Sequence, residues 1–446
     1  MQIKKTGSAI DWIIICLTGI VLVWVSSNYK WGDERWYGIL KSDGPGYYAY
    51  LPAAVIYQDL NFGFIDSLRK EKPGLHAFEY EFRRSHNGQN VNKYYAGTAV
   101  LQLPFYMAGH LLSVILDRPP NGYSAFYLIF VHLASLFYAL LGLLFIRVFL
   151  KTWAIKHGLI AFVLIAIVFG TNLFHYIVSE PAMSHVYSFV AISAFVFFMR
   201  RYFMVYKIKY LFLSSALLGI IALIRPVNLL ILFSIPFLSG GIGPLVKGFD
   251  LLVKKPALML GNLVVFLAII SIQMFIYKIQ CGDFLVYTYK GEGFQFFDPD
   301  MINILFSYRK GLFIYTPLLF FSLAGFVRIF KESKFQFFTL IGFLLFTVYV
   351  LSSWEQWYYG GSFSGRVFIE YYVFFALLLA LLLRSLKSWI KNAVILLICL
   401  LILLCQIQTY QYRTAQIHWS EMTKEKYWEV FPTPAYIMNK YKDYSD

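Results

Sequence analysis

An acidic residue in a tight turn, Asp43, is the first group in the sequence that could do chemistry. It lies within residues 41–50, a Gly/Pro-rich and aromatic stretch that follows the first apolar run. A carboxylate held against apolar surroundings beside tyrosines can be desolvated enough to act as a general base. The same position suits a helix N-cap or a turn residue before Gly44 and Pro45. The sequence alone leaves both interpretations open.

A second acidic group, Glu180, lies in residues 179–185, which link two apolar runs with almost no loop. His185 closes this link, so two ionisable side chains are expected at membrane depth, where such groups are costly and usually mark function. The segment therefore predicts a second acidic site facing Asp43. A Ser-Glu-Pro sequence is also a good helix start, which is the structural alternative.

Several cations could serve as ligands for a phosphate. Arg225 interrupts an apolar run and needs an anionic partner, which could be Glu180, Asp43 or a phosphate on a ligand. Its side chain could instead reach the interface by snorkelling. Arg309 and Lys310 follow a Gly-rich aromatic loop and predict a phosphate-binding rim, although most residues of that loop are expected to serve loop structure.

An aromatic segment, residues 352–366, combines rings, an acid and a cation within a short stretch. Its candidate substrate-binding residues are Trp354, Glu355, Trp357, Tyr358 and Arg366. Such rings can stack on a sugar while an arginine binds its phosphate. An interfacial aromatic belt would also place Trp and Tyr here, but a belt does not explain Arg366 or the neighbouring glycines. The segment therefore favours a binding site.

The sequence contains none of the motifs that mark several other common enzyme chemistries. There is no Walker A element, no Gly-x-Gly-x-x-Gly, no His-Glu-x-x-His and no Gly-x-Ser-x-Gly. The eight histidines are scattered, and the four cysteines have no paired spacing. We therefore expect neither a metal site nor a cofactor nor a disulfide framework.

The composition restricts the class of protein. Of 446 residues, 59% are hydrophobic and 14% are charged, which excludes a soluble globular domain and indicates a polytopic membrane protein. The net charge of +15 does not indicate nucleic-acid binding, because the basic clusters can all be placed on one side of the membrane. Lys4 and Lys5 are among them, so the amino terminus is expected in the cytoplasm.

Twelve apolar runs can be recognised along the chain. They cover residues 9–27, 95–116, 124–148, 158–178, 183–203, 210–224, 227–241, 256–278, 311–330, 335–352, 367–384 and 393–410. All basic clusters become cytoplasmic if 95–116 lies in the outer face without crossing, which gives about eleven transmembrane helices plus one membrane-lying helix. The alternative is a single bent span over 210–241 with 95–116 crossing. We expect an all-α transmembrane domain over residues 1–410 and a short extracytoplasmic tail over 411–446.

The polar segments then lie on one face, outside the cytoplasm. They are the outer loops 28–94, 279–310 and 353–366, together with the tail. Function is therefore expected at the outer surface of the membrane.

The order and sidedness of these motifs resemble the GT-C type integral membrane glycosyltransferases, and more closely a bacterial subgroup of that type. The resemblance covers most of residues 9–385 and is carried by DGPGYYAYLP (43–52), YAGTAVLQLPF (95–105), EPAMSHVYS (180–188), RPVN (225–228), GLFIYTP (311–317) and WYYGGSFSGR (357–366). The second acidic site has Glu180 alone, without the Asp-x-Asp pair, so a metal-dependent donor of the diphosphate type is not expected.

The resemblance implies an inverting hexosyl or pentosyl transfer from a polyprenyl-phosphate sugar to a hydroxyl of a glycan, lipid or protein acceptor. Asp43 would be the base, and Glu180 would orient its environment or bind acceptor hydroxyls. The residues implied as phosphate ligands are Arg225, Arg309 and Arg366, with His185 as an auxiliary donor. Those implied as a sugar or acceptor platform are Trp354, Trp357 and Tyr358. No metal would be obligatory, and the location would be the outer face of the bacterial cytoplasmic membrane.

Two alternatives use the same residues. A transporter or flippase of lipid-linked saccharides would need the same cations, but internal repeats and polar residues spread through the midplane are typical of transporters, and this sequence shows neither. An inactive scaffold for envelope assembly is the third hypothesis, against which the presence of both Asp43 and Glu180 argues.

Overall fold

The computed structural model describes residues 9–289 and 291–431. Its longer helices, numbered in chain order, are α1 (Ile10–Ser26), α2 (Gly97–Ile115), α3 (Ala125–Lys151), α4 (His157–Phe169), α5 (Ser184–Val205), α6 (Ile208–Ile224), α7 (Ile242–Val253), α8 (Pro256–Cys281), α9 (Lys334–Ser352), α10 (Tyr372–Ser385) and α11 (Ser388–Arg413). The shorter α-helices are Gly44–Tyr48, Tyr50–Pro52, Phe64–Glu71, His76–Glu79, Leu173–Val178, Ile235–Ser239, Met301–Phe306, Leu312–Tyr315, Pro317–Ser322, Phe326–Glu332 and Lys424–Val430. Turns of 3-10 helix cover Arg35–Ile39, Pro226–Ser234, Leu323–Gly325 and Arg366–Tyr371, and turns of π-helix cover Ser27–Trp31 and Ala53–Tyr57.

The length and apolarity of its helices make the molecule a multi-pass membrane protein. Eight described helices are long and apolar enough to cross a bilayer, or nine if the bent pair Pro226–Ser239 and Ile242–Val253 is one span. The apolar helices α4 and α6 are shorter. The expected helical membrane fold is confirmed, whereas the number of about eleven crossings stays a prediction.

The all-α expectation needs one correction, in the first outer loop. Two antiparallel strands, β1 (Arg83–His86) and β2 (Gln89–Asn92), form a short hairpin there. Asn87 and Gly88 connect them with φ values of 50° and 74°. An Asn-Gly pair with both residues at positive φ is the preferred two-residue hairpin turn, so the dipeptide itself carried this signal.

Two apolar runs expected to be single helices are broken. The run 311–330 is divided among several short helices, because the nitrogen of Pro317 cannot donate to the preceding turn and so begins a new helix. Further along, Gly325 lies so close to Leu378 that a Cβ atom would be 2.0 Å from the carbonyl oxygen of that residue. The run 158–178 is divided as well, since α4 ends at Phe169 and a separate short helix follows.

Helix α2 covers the run that was expected to lie in the outer face. The Tyr138 hydroxyl donates to the carbonyl oxygen of Leu101 at 2.9 Å, and Nδ1 of His110 lies 2.6 Å from the Tyr127 hydroxyl. Helix α2 is therefore antiparallel to the first half of α3 and does not reach the basic last turns of α3. Because α2 is also long and apolar enough to cross a bilayer, its non-crossing placement stays a prediction.

The basic ends of several helices meet at one end of the bundle. Asp11 at the start of α1 is buried and accepts from Nε of Arg147 at 2.8 Å and lies 2.9 Å from Nδ1 of His157. Arg384 at the end of α10 donates to the carbonyl oxygen of Trp153 at 2.8 Å. The described basic loops thus share one end, as the charge pattern predicts, and the assignment of that end to the cytoplasm stays a prediction. Lys4 and Lys5 lie outside the described residues.

The outer loops and the tail pack together at the opposite end. Nζ of Lys93 in the first loop lies 2.5 Å from Oε1 of Glu292 in loop 279–310. The backbone N–H of Ser362 donates to the carbonyl oxygen of Trp419 in the tail at 3.3 Å. Helix α11 continues to Arg413, past the expected boundary at 410. Residues 432–446 of the tail lie outside the described residues.

Candidate functional site

A cavity of about 880 Å³ opens among these loops, and we refer to it as the first cavity. Its walls come from the first outer loop, the chain break after α6, loop 279–310 and the segment 352–366. The polar and aromatic residues that line it include Lys41, Ser42, Asp43, His76, Tyr80, Lys93, Tyr94, His185, Arg225, Tyr289, Glu292, Trp354, Tyr359, Arg366 and Trp419.

Asp43 projects into the first cavity from a turn held by the backbone. The N–H of Gly44 donates to the carbonyl oxygen of Lys41 at 2.8 Å. Asp43 occupies the N-cap position of the following helix Gly44–Tyr48, but its side chain makes no capping hydrogen bond and is free to face the cavity. The next glycine is required for packing, since a Cβ atom on Gly46 would lie 2.4 Å from the ring of Tyr94.

Both carboxylate oxygens of Asp43 have a donor. Oδ2 accepts from a terminal nitrogen of Arg366 at 2.8 Å, and Oδ1 accepts from the Tyr80 hydroxyl at 3.0 Å. Burial alone would raise the pKa of Asp43, but the Arg366 guanidinium and the hydroxyls of Tyr94 and Tyr80 together bring that pKa below its ordinary value. The carboxylate is therefore ionised, and its ion pair with Arg366 joins the first loop to the 3-10 turn Arg366–Tyr371 that precedes α10.

Arg225 is paired with an acid that the sequence analysis did not select. Its guanidinium donates to Oε1 of Glu370 at 3.0 Å, and Nδ1 of His185 lies 3.1 Å from the same oxygen. The structure therefore pairs Arg225 with Glu370 and not with Glu180 or Asp43, the two acids expected from the sequence. Glu370 is completely buried, and its only signal in the sequence was a lone acid within the apolar run 367–384. Oε2 of Glu370 has no hydrogen-bond partner among the described residues.

Glu180 does not line the first cavity. It lies on a neighbouring cavity, with Oε1 3.5 Å from Nε2 of His175. The nearby Ala182 packs against Gly44, where a Cβ atom would lie 3.0 Å from that of Ala182. The two acidic motifs are therefore adjacent, but their carboxylates face separate cavities and bind different partners.

The aromatic segment contributes fewer residues to the first cavity than expected. Trp354 and Arg366 line it, whereas Glu355, Trp357 and Tyr358 do not. The ring of Tyr358 instead packs beneath the guanidinium of Arg309 at 3.5 Å. Gln356, Tyr359 and the two glycines that follow Tyr359 are the additional lining residues of this segment.

Arg309 and Lys310 hold the tail and do not line the first cavity. Nε of Arg309 donates to the carbonyl oxygen of Ser420 at 2.9 Å. Nζ of Lys310 is buried and donates to the carbonyl oxygens of Ser362 and Trp419. The phosphate-binding rim expected from these two cations is therefore replaced by a tether between the tail and the segment 352–366.

The cations that line the first cavity differ in whether an acidic side chain already pairs with them. Arg366, Arg225 and Lys93 each have an acidic partner, as described above. Lys41 is exposed and lines both cavities, and no described acid lies within ion-pair distance of it. The first cavity therefore has a surplus of positive charge and can accept an anionic group.

Metal-type ligands do not gather at Asp43. Among the described residues, the group of three such side chains that lie close enough to share an ion is His86, Cys281 and Asp283, and none of them lines the first cavity. At Asp43 one carboxylate oxygen is paired with the guanidinium of Arg366, and the absence of a metal from the reaction stays a prediction.

Comparison with known proteins identifies the fold. No family model and no curated protein matches the sequence. The crystal structure of the oligosaccharyltransferase of Archaeoglobus fulgidus in the apo form matches with a TM-score of 0.52 at 13% identity, over 99% of this chain and 60% of that chain. A second structure, the archaeal oligosaccharyltransferase AglB from the same organism with an inhibitory peptide and a dolichol-phosphate, has a TM-score of 0.46 at 12% identity, over 97% and 59%.

The class that this likeness defines is a membrane protein with a GT-C-like fold. At this level of identity the likeness shows the fold alone. The chain spans about 60% of the length of the oligosaccharyltransferase that it matches.

Proposed function

We propose that this protein is a GT-C type glycosyltransferase that uses a polyprenyl-phosphate sugar as donor and an acceptor hydroxyl at the outer face of the cytoplasmic membrane. The observation that carries the proposal is the first cavity, in which an ionised, partly buried carboxylate, Asp43, lies beside two arginines and an exposed lysine. The GT-C-like fold supports it, because the fold places these residues at the loop end of a bundle of membrane helices.

The lipid phosphate would bind among the cations. Arg225 and Arg366 present guanidinium groups to the cavity, and Lys41 adds a charge without an acidic partner. A guanidinium binds phosphate oxygens through two parallel hydrogen bonds, so the developing charge on the leaving phosphate is stabilised as the sugar departs. His185 lines the same wall and can supply a further hydrogen bond. The rings of Tyr289, Tyr359 and Trp354 are placed to pack against the sugar.

Asp43 would act as the general base. The acceptor oxygen attacks the anomeric carbon and forms the new glycosidic bond, while the bond between that carbon and the phosphate oxygen breaks. The hydroxyl proton passes to Asp43, and the polyprenyl phosphate leaves with the electron pair of the broken bond. A single displacement inverts the anomeric configuration. Arg366 keeps Asp43 ionised, which supports a metal-independent reaction.

Turnover by purified protein tests this proposal. In nanodiscs of bacterial phospholipid, undecaprenyl-phosphate sugars labelled in the sugar are incubated with membrane-derived acceptors, and product is compared for wild type, Asp43→Asn and Asp117→Asn. Removing the base should lower turnover by about 10²–10⁴-fold. The control Asp117 is exposed and does not line the first cavity, so Asp117→Asn should match wild type.

Unchanged turnover in Asp43→Asn would remove Asp43 as base. Translocation of the labelled lipid without any transfer of sugar would identify a flippase and overturn the proposed reaction.

A further inference from the structure

A second cavity of about 500 Å³ adjoins the first. The two cavities share Lys41, Ser42, Gly361 and Trp419 in their linings, so these residues form the partition between them. Ser42 adopts a positive φ of 53°, which is strained for a residue with a side chain. The chain therefore holds a strained residue at the boundary between the cavities.

The second cavity is lined by buried polar groups that have no partner. Oε2 of Glu180, Nδ1 of His175 and Oγ of Ser179 make no hydrogen bond with any described residue. The three residues are 7%, 2% and 4% exposed, respectively. Buried donors and acceptors are normally satisfied in folded proteins, so these three groups are available to hydrogen-bond water or a polar ligand held in the cavity.

The chemistry of this lining differs from that of the first cavity. Glu180 places a carboxylate on this lining, where Lys41 and Arg413 are the cations, and the guanidinium of Arg413 lies over the Tyr29 ring at 3.5 Å. A carboxylate, an imidazole and a hydroxyl are suited to neutral hydroxyl groups, because they offer both acceptors and a donor. Trp419 and Tyr412 add aromatic faces to the same cavity. A ring that carries several hydroxyls fits all of these groups.

We propose that the second cavity is the acceptor subsite and that it takes a saccharide, with one sugar hydroxyl directed past Ser42 towards Asp43. This inference rests on the proposed function. It assigns Glu180 and His175 to the binding of acceptor hydroxyls, while the lipid phosphate of the donor binds in the first cavity. Saccharide binding and lipid-phosphate binding should therefore be lost separately in different variants.

Two binding measurements on the full chain in nanodiscs test the assignment. Saturation-transfer NMR with a panel of methyl glycosides of common hexoses and pentoses reports saccharide binding, and cyclohexanol is the control without a sugar ring. Native mass spectrometry with undecaprenyl phosphate reports binding of the lipid phosphate. The variants are Glu180→Gln, Arg366→Gln and Ala415→Trp, the last at an exposed lining residue of the second cavity. Ala415→Asn is its small matched control.

Wild type should give saturation transfer to at least one glycoside and none to cyclohexanol. Glu180→Gln and Ala415→Trp should reduce the glycoside signal at least fivefold and still bind undecaprenyl phosphate. Ala415→Asn should retain both the glycoside signal and lipid binding. Arg366→Gln should retain the glycoside signal and lose binding of undecaprenyl phosphate. Absence of any glycoside signal in wild type, or full signal in both Glu180→Gln and Ala415→Trp, would overturn the inference. The protein could instead give a glycoside signal that depends on Glu180 and yet bind no undecaprenyl phosphate. That result would overturn the acceptor role of the second cavity together with the proposed donor.

Discussion

Asp43 has a carboxylate whose two oxygens are held by different kinds of donor. The ion pair with Arg366 and the hydrogen bond from Tyr80 both favour the ionised form. A base in this environment keeps its charge at moderately acidic pH. The rate of transfer is therefore expected to stay constant from neutral pH down to the ordinary range of an aspartate.

Removing one of these donors should shift the pH profile. In Tyr80→Phe the hydroxyl that stabilises the Asp43 carboxylate is lost, so the pKa of Asp43 rises and the acid limb of the transfer rate moves up by about one pH unit. The measurement is transfer rate against pH, with Tyr57→Phe as control because the Tyr57 hydroxyl bonds to Asn121 and does not contact Asp43. Identical profiles for Tyr80→Phe and wild type would exclude this role of the hydroxyl.

The pairing of Arg225 with Glu370 supports a second prediction at the level of single residues. In Glu370→Gln the partly buried guanidinium of Arg225 loses its counter-charge, which should cost about 3–5 kcal/mol of stability. Added undecaprenyl phosphate should recover part of that loss, because its phosphate can replace the carboxylate. Thermal unfolding with and without the lipid measures both effects.

Glu332→Gln is the matched control for this experiment. Glu332 forms a partly exposed pair with Arg328 and Arg384 at the basic end of the bundle. Partly exposed pairs contribute little to stability, so a small loss without rescue by lipid is expected. Equal rescue of both variants would show that the lipid does not act through Arg225.

Among the elements of the fold, close contact between helices α2 and α6 fixes the position of Arg225. Helix α2 begins against the end of α6, where a Cβ atom on Gly97 would lie 2.4 Å from the backbone nitrogen of Ile224. Arg225 follows directly, so any displacement of α6 also moves its guanidinium. A glycine is therefore required at this crossing, in contrast to Gly342 within α9, whose Cβ position is open.

Substitution of these two glycines by alanine should distinguish the effect of close helix packing on stability from the effect of helix propensity. Gly97→Ala should lower stability by about 1–3 kcal/mol through overpacking and should weaken undecaprenyl-phosphate binding. Gly342→Ala should be neutral or stabilising by up to about 1 kcal/mol, since alanine favours the helix. Thermal unfolding of the two variants is the measurement. An unchanged midpoint of thermal unfolding in Gly97→Ala would show that α2 and α6 can move apart without loss of stability.

Apolar runs and basic clusters were enough to predict the class of fold and the end at which the loops gather. The break at Gly325 was not predicted, because hydropathy does not report a close approach between helices. The break at Pro317 was not predicted either, because hydropathy treats the run 311–330 as continuous although its proline is visible in the sequence. Glu370 was missed for a similar reason, since only the three-dimensional packing brings it to Arg225. Arg309 and Lys310 were expected to bind a ligand. Their actual partners are backbone carbonyl groups, mostly in the tail, and no sequence motif marks these groups as partners.

At the scale of the whole molecule, one end of the bundle carries basic residues and the other carries the cavities. Cysteines placed at Lys156 and at Asp33, both exposed, in a chain with its four native cysteines replaced by alanine, should be labelled from opposite sides. The reagent is an impermeant thiol label on sealed vesicles, and Asp33→Cys is expected to react from outside the cytoplasm. Labelling of both positions from one side would contradict the common placement of the basic loops.

The most direct test of donor binding in the first cavity is a cryo-EM map of the full chain in nanodiscs with undecaprenyl phosphate. Density for the phosphate is expected in the first cavity, within hydrogen-bond distance of the guanidinium of Arg225 or Arg366. A phosphate bound elsewhere on the protein, with the first cavity empty at saturating lipid, would contradict the proposed donor site.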